Sequence, residues 1–270
     1  MLVHHLEDLE SPMLDPYREL KRTNLTRWSQ WFIAEGKRVV ERLLQSDCGV
    51  YSVLLAEKRF ESFGPTIPED IPILVVPDDL CSQLVGFDFH TGVMACGVRP
   101  PKRCLSTQIE ALNKRHTTFI ACPNTTLPDN LGSIMRLAAA FEMEGLILGS
   151  HSADPFSRRA IRVSMGNIFQ LGVFEPPDLV SELKTLKRSH GFAIAAANQS
   201  TQAINLQTFA WPERTILILG NEADGVSDDL LAICDHEVQI PMADNVDSLN
   251  VTTAATIFMY ERSRTQRMER

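Results

Sequence analysis

The chain has 270 residues, of which 44% are hydrophobic and 22% charged, a composition that excludes fibrous and low-complexity proteins. Its length favours two domains over a single core. The net charge of −8 argues against a nucleic-acid partner, although phosphate binding depends on local patches rather than on the total charge.

The sequence also indicates a cytoplasmic protein without membrane contact. No run of residues approaches the roughly 18–20 apolar residues that a membrane span requires. Residues 1–10 are acidic, unlike a signal peptide. The six cysteines are scattered without a C-x-x-C pair, which favours reduced thiols over disulfides or a zinc site.

The first hundred residues are predicted to form a small α/β domain. Residues 15–45 are predicted to be helical, because residues 31–44 place apolar side chains on one side of a helix and charges on the other. A short helix at 78–84 and three strands follow, at residues 50–55, 71–76 and 92–98. The proline-rich basic segment 99–103 is typical of a linker, so we predict one domain over residues 1–104 and a second over 105–270.

Strands and helices alternate regularly in the second domain. A polar helix over residues 106–114 precedes an apolar strand at 117–122. We then predict strands at 145–148, 170–174, 192–196, 215–219 and 237–240, and helices at 130–141, 157–164, 179–189, 228–234 and 251–264. Such alternation is typical of a parallel sheet with helices on both faces, so the predicted fold class is α/β.

Three basic segments stand out in this acidic chain. Residues 18–42 carry seven cations against three carboxylates, a local excess of four. Residues 158–162 read Arg-Arg-Ala-Ile-Arg, and the C-terminal tail holds Arg262, Arg264, Arg267 and Arg270. Solvated helix faces are the ordinary interpretation of each segment, whereas the three together also fit a phosphate-binding surface.

Common catalytic signatures are missing from the sequence. It contains no H-E-x-x-H metal pair, no G-x-S-x-G elbow, no G-x-x-x-x-G-K-[ST] phosphate loop and no G-x-G-x-x-G motif. We therefore expect no metal centre. The missing glycine fingerprint also disfavours an unrelated dehydrogenase or nucleotide-binding enzyme.

Polar, turn-forming residues instead follow the predicted strands. In residues 128–136, Asn130 is predicted to cap a helix, and Arg136 lies among apolar neighbours, where a guanidinium needs a partner. That partner is either a carboxylate at an interface or a phosphate or carboxylate of a ligand, which the guanidinium fork suits.

Two further segments have the same character. Gly220 directly follows a strand and allows close approach of a ligand, and Gly225 suits a positive φ. Ser248 and Asn250 precede a predicted helix and are good capping residues. An acidic surface turn and plain capping are the alternatives, but the three segments occur in order, each beside a strand end of one sheet, where α/β proteins bind ligands.

Together these segments resemble the three motifs of the SpoU (TrmH-like) RNA ribose methyltransferases. They read N-x-G-x-x-x-R at 130–136, I-L-G-N-E-x-x-G-[VL]-S at 218–227, and I-P-M followed by S-L-N-V-x-x-A at 240–254. Residues 32–41 and 91–95 are similar to an L30e-like substrate-binding domain found in many members, so the resemblance spans nearly the whole chain.

The resemblance implies more than the strand pattern does. It implies a C-terminal parallel-sheet domain of the SPOUT superfamily with a trefoil knot, although connections in proteins are normally unknotted, preceded by the L30e-like domain. It implies a homodimer formed through the C-terminal domain, S-adenosylmethionine as cofactor, and rRNA, more than tRNA, as partner. The implied reaction methylates a ribose 2′-hydroxyl; the alternative is a catalytically silent RNA-binding protein of the same fold.

The resemblance also implies roles for individual residues. The cofactor site comprises Leu219, Gly220, Ile240, Met242 and Leu249, and the catalytic set is Arg136 supported by Asn130, Glu222, Ser248 and Asn250. The basic segments are expected to contact RNA through Arg22, Arg27, Lys37, Arg38, Arg158 and Arg162. Three positions depart from the family pattern, Leu137, Glu142 and Asn221, the last standing where Thr or Ser is frequent.

Overall fold

The computed structural model describes residues 2–20, 30–112, 114–221, 224–243 and 248–268. Within these ranges no helix is both long and apolar enough to cross a membrane. The chain divides into two compact units, Met1–Pro101 with Asp154–Gln170, and Lys102–Ala153 with Leu171–Arg270. Residues 154–170, which the sequence prediction assigned to the second domain, thus belong to the first unit.

Strands and helices follow one another along the described chain. The strands are β1 (Val3–His5), β2 (Trp31–Glu35), β3 (Val50–Ala56), β4 (Ile73–Val76), β5 (Val93–Val98), β6 (Thr117–Cys122), β7 (Gly145–Leu148), β8 (Gly172–Phe174), β9 (Ala193–Ala197), β10 (Ile204–Asn205), β11 (Arg214–Leu219) and β12 (His236–Gln239). The α-helices are α1 (Lys37–Leu44), α2 (Glu57–Phe63), α3 (Asp78–Val85), α4 (Leu105–Ala111), α5 (Pro128–Ala140), α6 (Arg158–Val163), α7 (Leu179–His190), α8 (Asp228–Leu231) and α9 (Val251–Met268).

The first unit contains a mixed five-stranded sheet in the order β1-β4-β3-β5-β2. β1, β4 and β3 are parallel, whereas β5 runs antiparallel to both β3 and β2. On one face, the buried Tyr17 hydroxyl donates to the Ser52 carbonyl and accepts from the Cys96 N–H, at 2.8 and 3.0 Å. Because these bonds satisfy the hydroxyl, the ring can pack in the core at no polar cost.

The helix predicted over residues 31–44 is wrong in its first half. Trp31–Glu35 forms strand β2, and only Lys37–Leu44 is helical. The two elements meet at Gly36, whose φ of +99° ends the strand in a conformation that other residues avoid. Trp-Phe-Ile is a strand-favouring triplet, and short apolar runs do not separate helix from strand by periodicity.

Residues 154–170 cover part of the first unit's sheet. Phe32 of β2 packs against Phe156 and Phe169, with ring centroids 5.2 and 5.5 Å apart. The buried Glu35 carboxylate lies 2.5 Å from the Arg158 guanidinium of α6. The segment therefore supplies both apolar contacts and a charge partner to the unit.

The second unit contains a seven-stranded, entirely parallel sheet in the order β10-β12-β9-β11-β6-β7-β8. Its core includes Phe119, which contacts the Phe174 and Phe192 rings at centroid distances of 6.0 and 5.8 Å. The parallel α/β sheet expected from the sequence is thus present. Helix α5 begins at Pro128 rather than at Asn130, because proline suits the first helical position, and Asn130 is therefore the third helical residue and not the cap.

The C-terminal helix α9 packs against α5 and contains a fully buried arginine. Arg262 is 1% exposed, and its Nε and Nη2 atoms donate to Thr118 Oγ1 and the Glu213 carbonyl, both at 2.9 Å. Its guanidinium also lies over the Trp211 ring, 5.5 Å from the centroid. Arg262 thus connects α9 to the sheet through buried hydrogen bonds. The interpretation of the tail as a basic surface is therefore wrong for this residue.

Candidate functional site

A cavity of about 420 Å³ opens at the carboxyl ends of β9, β11 and β12. Its size falls within the roughly 300–1,000 Å³ that small-molecule sites occupy. Three strand ends and the start of α9 supply its lining, which comprises Ala197, Asn198, Gln199, Leu219, Gly220, Asn221, Asp224, Gly225, Val238, Gln239, Ile240, Met242, Ser248, Leu249, Val251, Ala254 and Phe258. All these residues belong to the second unit.

The structure brings the residues assigned to the cofactor together. Leu219, Gly220, Ile240, Met242 and Leu249 all line this cavity. They come from the end of β11 and from the segment between β12 and α9, and these meet because β9 lies between β11 and β12. Ser248, assigned to the catalytic set, lines the cavity as well.

The loop after β11 folds back on itself at the cavity. Asn221 and Gly225 exchange two backbone hydrogen bonds of 2.9 Å, and Gly225 has the positive φ, +67°, that the sequence predicted. A Cβ atom on Gly220 would lie 2.5 Å from the Gly225 carbonyl carbon. The turn itself therefore requires glycine at position 220. The sequence prediction had given only the close approach of a ligand as the reason.

The sequence prediction missed the contribution of β9. Ala197, Asn198 and Gln199 line the cavity. The Asn198 side-chain amide donates to Glu237 Oε2 at 2.7 Å, and its backbone N–H donates to the Val238 carbonyl at 3.1 Å. Because ligands of parallel sheets bind beyond the carboxyl ends of strands, the predicted strand at 192–196 was the available signal.

The charge of the cavity selects among ligands. Of the lining residues that the structure describes, none carries a positive charge, and Asp224 carries a negative one. The remaining polar lining consists of amide and hydroxyl side chains and backbone groups. Such a surface suits a neutral or cationic ligand and lacks the cations that usually bind diphosphate groups.

The residues assigned to the acceptor side lie outside the cavity lining. Asn130 is half-buried in the first turn of α5, and Arg136 is exposed on the same helix. Arg136 is eight residues past Pro128, or about 12 Å along the helix axis. Its guanidinium is therefore solvated in the single chain, and the expected partner, an interface carboxylate or a ligand, stays a prediction.

The two remaining catalytic assignments have different outcomes. Asn250 caps α9, because its Oδ1 accepts from the Thr252 N–H at 2.9 Å, and it does not line the cavity. Asn250 thus caps the helix as its residue type suggested, and its catalytic assignment stays a prediction. Glu222 lies outside the described residues.

Four of the six basic residues assigned to RNA are described, all of them in the first unit. Lys37 and Arg38 are exposed on α1. Arg158 and Arg162 both reach Glu35, at 2.5 and 3.3 Å, although the Arg162 side chain stays 53% exposed. Arg22 and Arg27 lie outside the described residues.

In the described part of the chain, no group of three or more His, Cys, Asp or Glu residues is arranged to hold a metal ion. All six cysteines are free thiols.

Comparison with known proteins connects this geometry to a family. Residues 117–260 match the sequence model of the SpoU rRNA Methylase family. An uncharacterized tRNA/rRNA methyltransferase of Mycobacterium tuberculosis is 32% identical over 265 residues, which cover 95% of this chain and 90% of that protein. The 23S rRNA (guanosine-2'-O-)-methyltransferase RlmB of Acinetobacter baylyi is 27% identical over 199 residues, 73% of this chain and 80% of that protein.

A solved structure agrees with the sequence matches. The SpoU methyltransferase AviRb from Streptomyces viridochromogenes, in complex with the cofactor AdoMet, is 25% identical, with a TM-score of 0.77. The match covers 95% of this chain and 100% of that one. The α/β fold with a parallel sheet is therefore shared with a methyltransferase over nearly its whole length.

Proposed function

This chain belongs to the SpoU rRNA methylase family and is an S-adenosylmethionine-dependent RNA methyltransferase, and we propose that it methylates a ribose 2′-hydroxyl of structured rRNA. The observation that carries the proposal is the cavity at three strand ends, which the second and third family segments build together. The Acinetobacter relative is a 23S rRNA (guanosine-2'-O-)-methyltransferase, which supports the ribose hydroxyl and rRNA as targets.

The cavity fits the cofactor. S-adenosylmethionine carries a sulfonium cation and no phosphate, which agrees with a described lining that holds Asp224 and no basic side chain. Leu219, Gly220 and Ile240 line the cavity at the ends of β11 and β12, and we propose that backbone groups there bind the adenine edge without a glycine-rich fingerprint. We propose that these residues, with Met242 and Leu249, hold the cofactor.

When bound, S-adenosylmethionine would supply an electrophilic methyl group to the ribose 2′-oxygen, and its sulfur would leave as a neutral thioether. The 2′-hydroxyl would lose its proton to a phosphate oxygen or another acceptor. We assign Arg136 to the phosphate beside the target ribose, because its fork binds phosphate in a fixed orientation. A guanidinium has no lone pair for a proton, so Arg136 aligns the hydroxyl and does not deprotonate it. Asn130, Glu222, Ser248 and Asn250 are proposed to support this arrangement.

The position of Arg136 supports a site shared between two copies of the chain. In one copy, Arg136 lies outside the cavity lining and is exposed on α5. Next to α5, helix α9 exposes Ile257 and Tyr260, 36% and 55% exposed, and the Tyr260 ring contacts Phe141. We propose that this apolar surface forms a homodimer, in which the partner's Arg136 completes the site.

The course of the chain supports the proposed knot. β12 lies on the far side of β9 from β11, yet the next helix, α9, packs against α5, which follows β6. The described residues between β12 and α9, among them Ile240 and Leu249, line the cavity together with Gly220 of the loop after β11. We propose that the chain between β12 and α9 threads this loop, as in the family, and that the first unit is the L30e-like domain.

The first unit offers cations for RNA. We propose that the exposed Lys37, Arg38 and Arg162 contact phosphates. Arg22 and Arg27, which belong to the same basic segment 18–42 as Lys37 and Arg38, are proposed to do so too. Arg158 has the buried Glu35 as a close partner, so its contribution is the smallest of the set. We place the reaction in the cytoplasm, where free thiols such as these six cysteines persist.

Mapping of methylated riboses tests the proposal. Total RNA from strains with and without the gene is hydrolysed in alkali and sequenced, because a 2′-O-methyl group protects the adjacent phosphodiester from cleavage. We expect one or a few rRNA positions to lose protection without the gene and to regain it with purified protein and S-adenosylmethionine. Methyl groups found on bases, or on tRNA alone, would contradict the proposal.

A further inference from the structure

Asn221 lies between the two loops that the proposed reaction must hold together. β6 and β11 are neighbouring parallel strands, with Ile218 opposite Ala121, so the loops after them leave the sheet side by side. The loop after β11 lines the cavity. The loop after β6 leads into α5, which carries Asn130 and Arg136.

The Asn221 side chain crosses from one loop to the other. Its Nδ2 donates to the Asn124 carbonyl at 2.8 Å, and its Oδ1 accepts from the Asp224 N–H at 3.4 Å. Its backbone is fixed by the paired bonds to Gly225. Asn124 comes four residues before Pro128, so the cross-loop bond holds the chain just ahead of α5.

A second set of side-chain bonds holds the loop after β6 on the side of β7. Ser152 Oγ accepts from the Thr125 N–H at 3.2 Å and donates to the Cys122 carbonyl at 2.8 Å. The Asn124 Oδ1 and Thr125 Oγ1 atoms are buried and have no hydrogen-bond partner in the described part of the chain. On the side of the cavity, the Asn221 bond holds the loop.

We infer that Asn221 is a positioning residue for methyl transfer, an inference that rests on the proposed function. In-line transfer needs the reacting atoms in a near-attack geometry, and a misplacement of about 1 Å can cost about a hundredfold in rate. Asn221 fixes the cavity loop against the start of α5, the helix that carries Arg136 and adjoins the proposed dimer surface. Loss of its side-chain bond therefore lowers the rate of transfer more than it weakens binding of the cofactor.

Single-turnover kinetics test this role. The full-length protein is given saturating tritiated S-adenosylmethionine and total RNA from a strain lacking the gene, and cofactor affinity is measured separately by calorimetry. Asn221→Asp keeps the size of the side chain but sets an oxygen against the Asn124 carbonyl. We expect its transfer rate to fall by about ten- to a hundredfold, with cofactor affinity and melting temperature close to those of the wild type.

Asn205→Ala is the matched control. Asn205 also forms a side-chain hydrogen bond to the backbone, from the Gln207 N–H at 2.9 Å, but it does not line the cavity. We expect this variant to keep the wild-type transfer rate. A similar loss of rate in both variants would point to general destabilisation and would overturn the inference.

Two further substitutions, Asn221→Ser and Asn221→Ala, keep the test decisive if Asn221→Asp fails to fold. Asn221→Ser retains a shorter donor, so we expect it to recover part of the rate that Asn221→Ala loses. Equal rates in the Ser and Ala variants, a wild-type rate in Asn221→Asp, or cofactor affinity lost by the same factor as rate would each overturn the inference. Absence of transfer by the wild-type protein would instead contradict the proposed function.

Discussion

Arg136 is surrounded by apolar residues in the sequence, yet its side chain reaches solvent on α5. A helix places successive residues about 100° apart, so an exposed arginine is compatible with the buried Met135 before it and the half-buried Leu137 after it. Exposure leaves the guanidinium fork available to a phosphate, and this availability is what the proposed mechanism requires. Charge alone is not sufficient for that role, since the fork also sets the orientation of the phosphate.

Substitution of Arg136 separates transfer from cofactor binding. We expect Arg136→Ala to abolish methyl transfer while S-adenosylmethionine binding, measured by calorimetry, stays near normal. Arg136→Lys should fail as well, because an ammonium cannot replace the two-pronged contact. Arg188→Ala, which removes an exposed arginine from α7, is the control and should keep full activity. Turnover retained by either Arg136 variant would contradict the assignment of Arg136 to the phosphate.

The cysteines differ in reactivity because their surroundings differ. Cys104 is exposed, and hydrogen bonds from the backbone N–H and then the hydroxyl of Thr107 lower the pKa of its thiol. Burial raises the pKa values of Cys81 and Cys96 to about 12. At pH 7.5 we therefore expect limited iodoacetamide treatment to label Cys104 first, as read by peptide mass spectrometry. Cys81 and Cys96 should react only after denaturation in guanidinium; labelling of either in the folded protein would contradict this order.

Helix α9 shows how one side chain can anchor an element. Arg262 joins the helix to the hydroxyl of Thr118 and the carbonyl of Glu213 inside the second unit. A buried arginine of this kind cannot take part in RNA binding, so the basic character of the C-terminal tail is smaller in the folded protein than in the sequence.

Removal of the Arg262 guanidinium should destabilise the protein. Arg262→Met keeps much of the side-chain volume but removes the donors to the Thr118 hydroxyl and the Glu213 carbonyl, at a cost of about 2–4 kcal/mol in unfolding free energy. Urea denaturation measures this loss. Arg264→Met is the control two residues away, where an exposed ion pair with Glu261 is lost and stability should hardly change. Equal stability of the two variants would refute the anchoring role.

Much of the second unit could be predicted from its residues. Strands β6 and β7 were predicted at their observed bounds, because buried strands of a parallel sheet are short, continuous apolar runs between turn residues. The loops that line the cavity were also identified, since polar and turn-forming residues follow the apolar runs at the ends of β11 and β12. The start of α5 was placed two residues late, because Asn130 is a good cap in isolation while Pro128 is better placed to begin the helix.

Other features depend on contacts that the linear sequence does not contain. The strand-forming half of residues 31–44 owes its conformation to pairing with β5, from Trp31 opposite Val98 to Glu35 opposite Met94. The burial of Arg262 depends on acceptors 144 and 49 positions away. Asn198 lines the cavity because β9 lies between β11 and β12, an order that alternation of elements does not determine.

Two copies of the chain are required if the site is shared as proposed. Ile257→Glu places a charge on the exposed apolar surface of α9, so we expect the dimer to dissociate in analytical ultracentrifugation and methyl transfer to fall with it. Ile204→Glu is the matched control, because Ile204 of β10 is exposed to a similar degree, 39% against 36%. Dissociation in both variants, or full activity in an Ile257→Glu monomer, would argue against the shared site.

The assignment of residues 154–170 to the first unit has a consequence for biosynthesis. Glu35 leaves the ribosome 123 residues before Arg158, the cation that lies against its buried carboxylate. At about 5–20 residues per second, the delay is about 6–25 s. A similar delay separates the synthesis of Phe32 from that of Phe156 and Phe169, the rings that pack against it. During that interval the nascent chain carries an uncompensated carboxylate and an uncovered aromatic ring, so the unit that is synthesised first is not complete until more than half of the protein has been made.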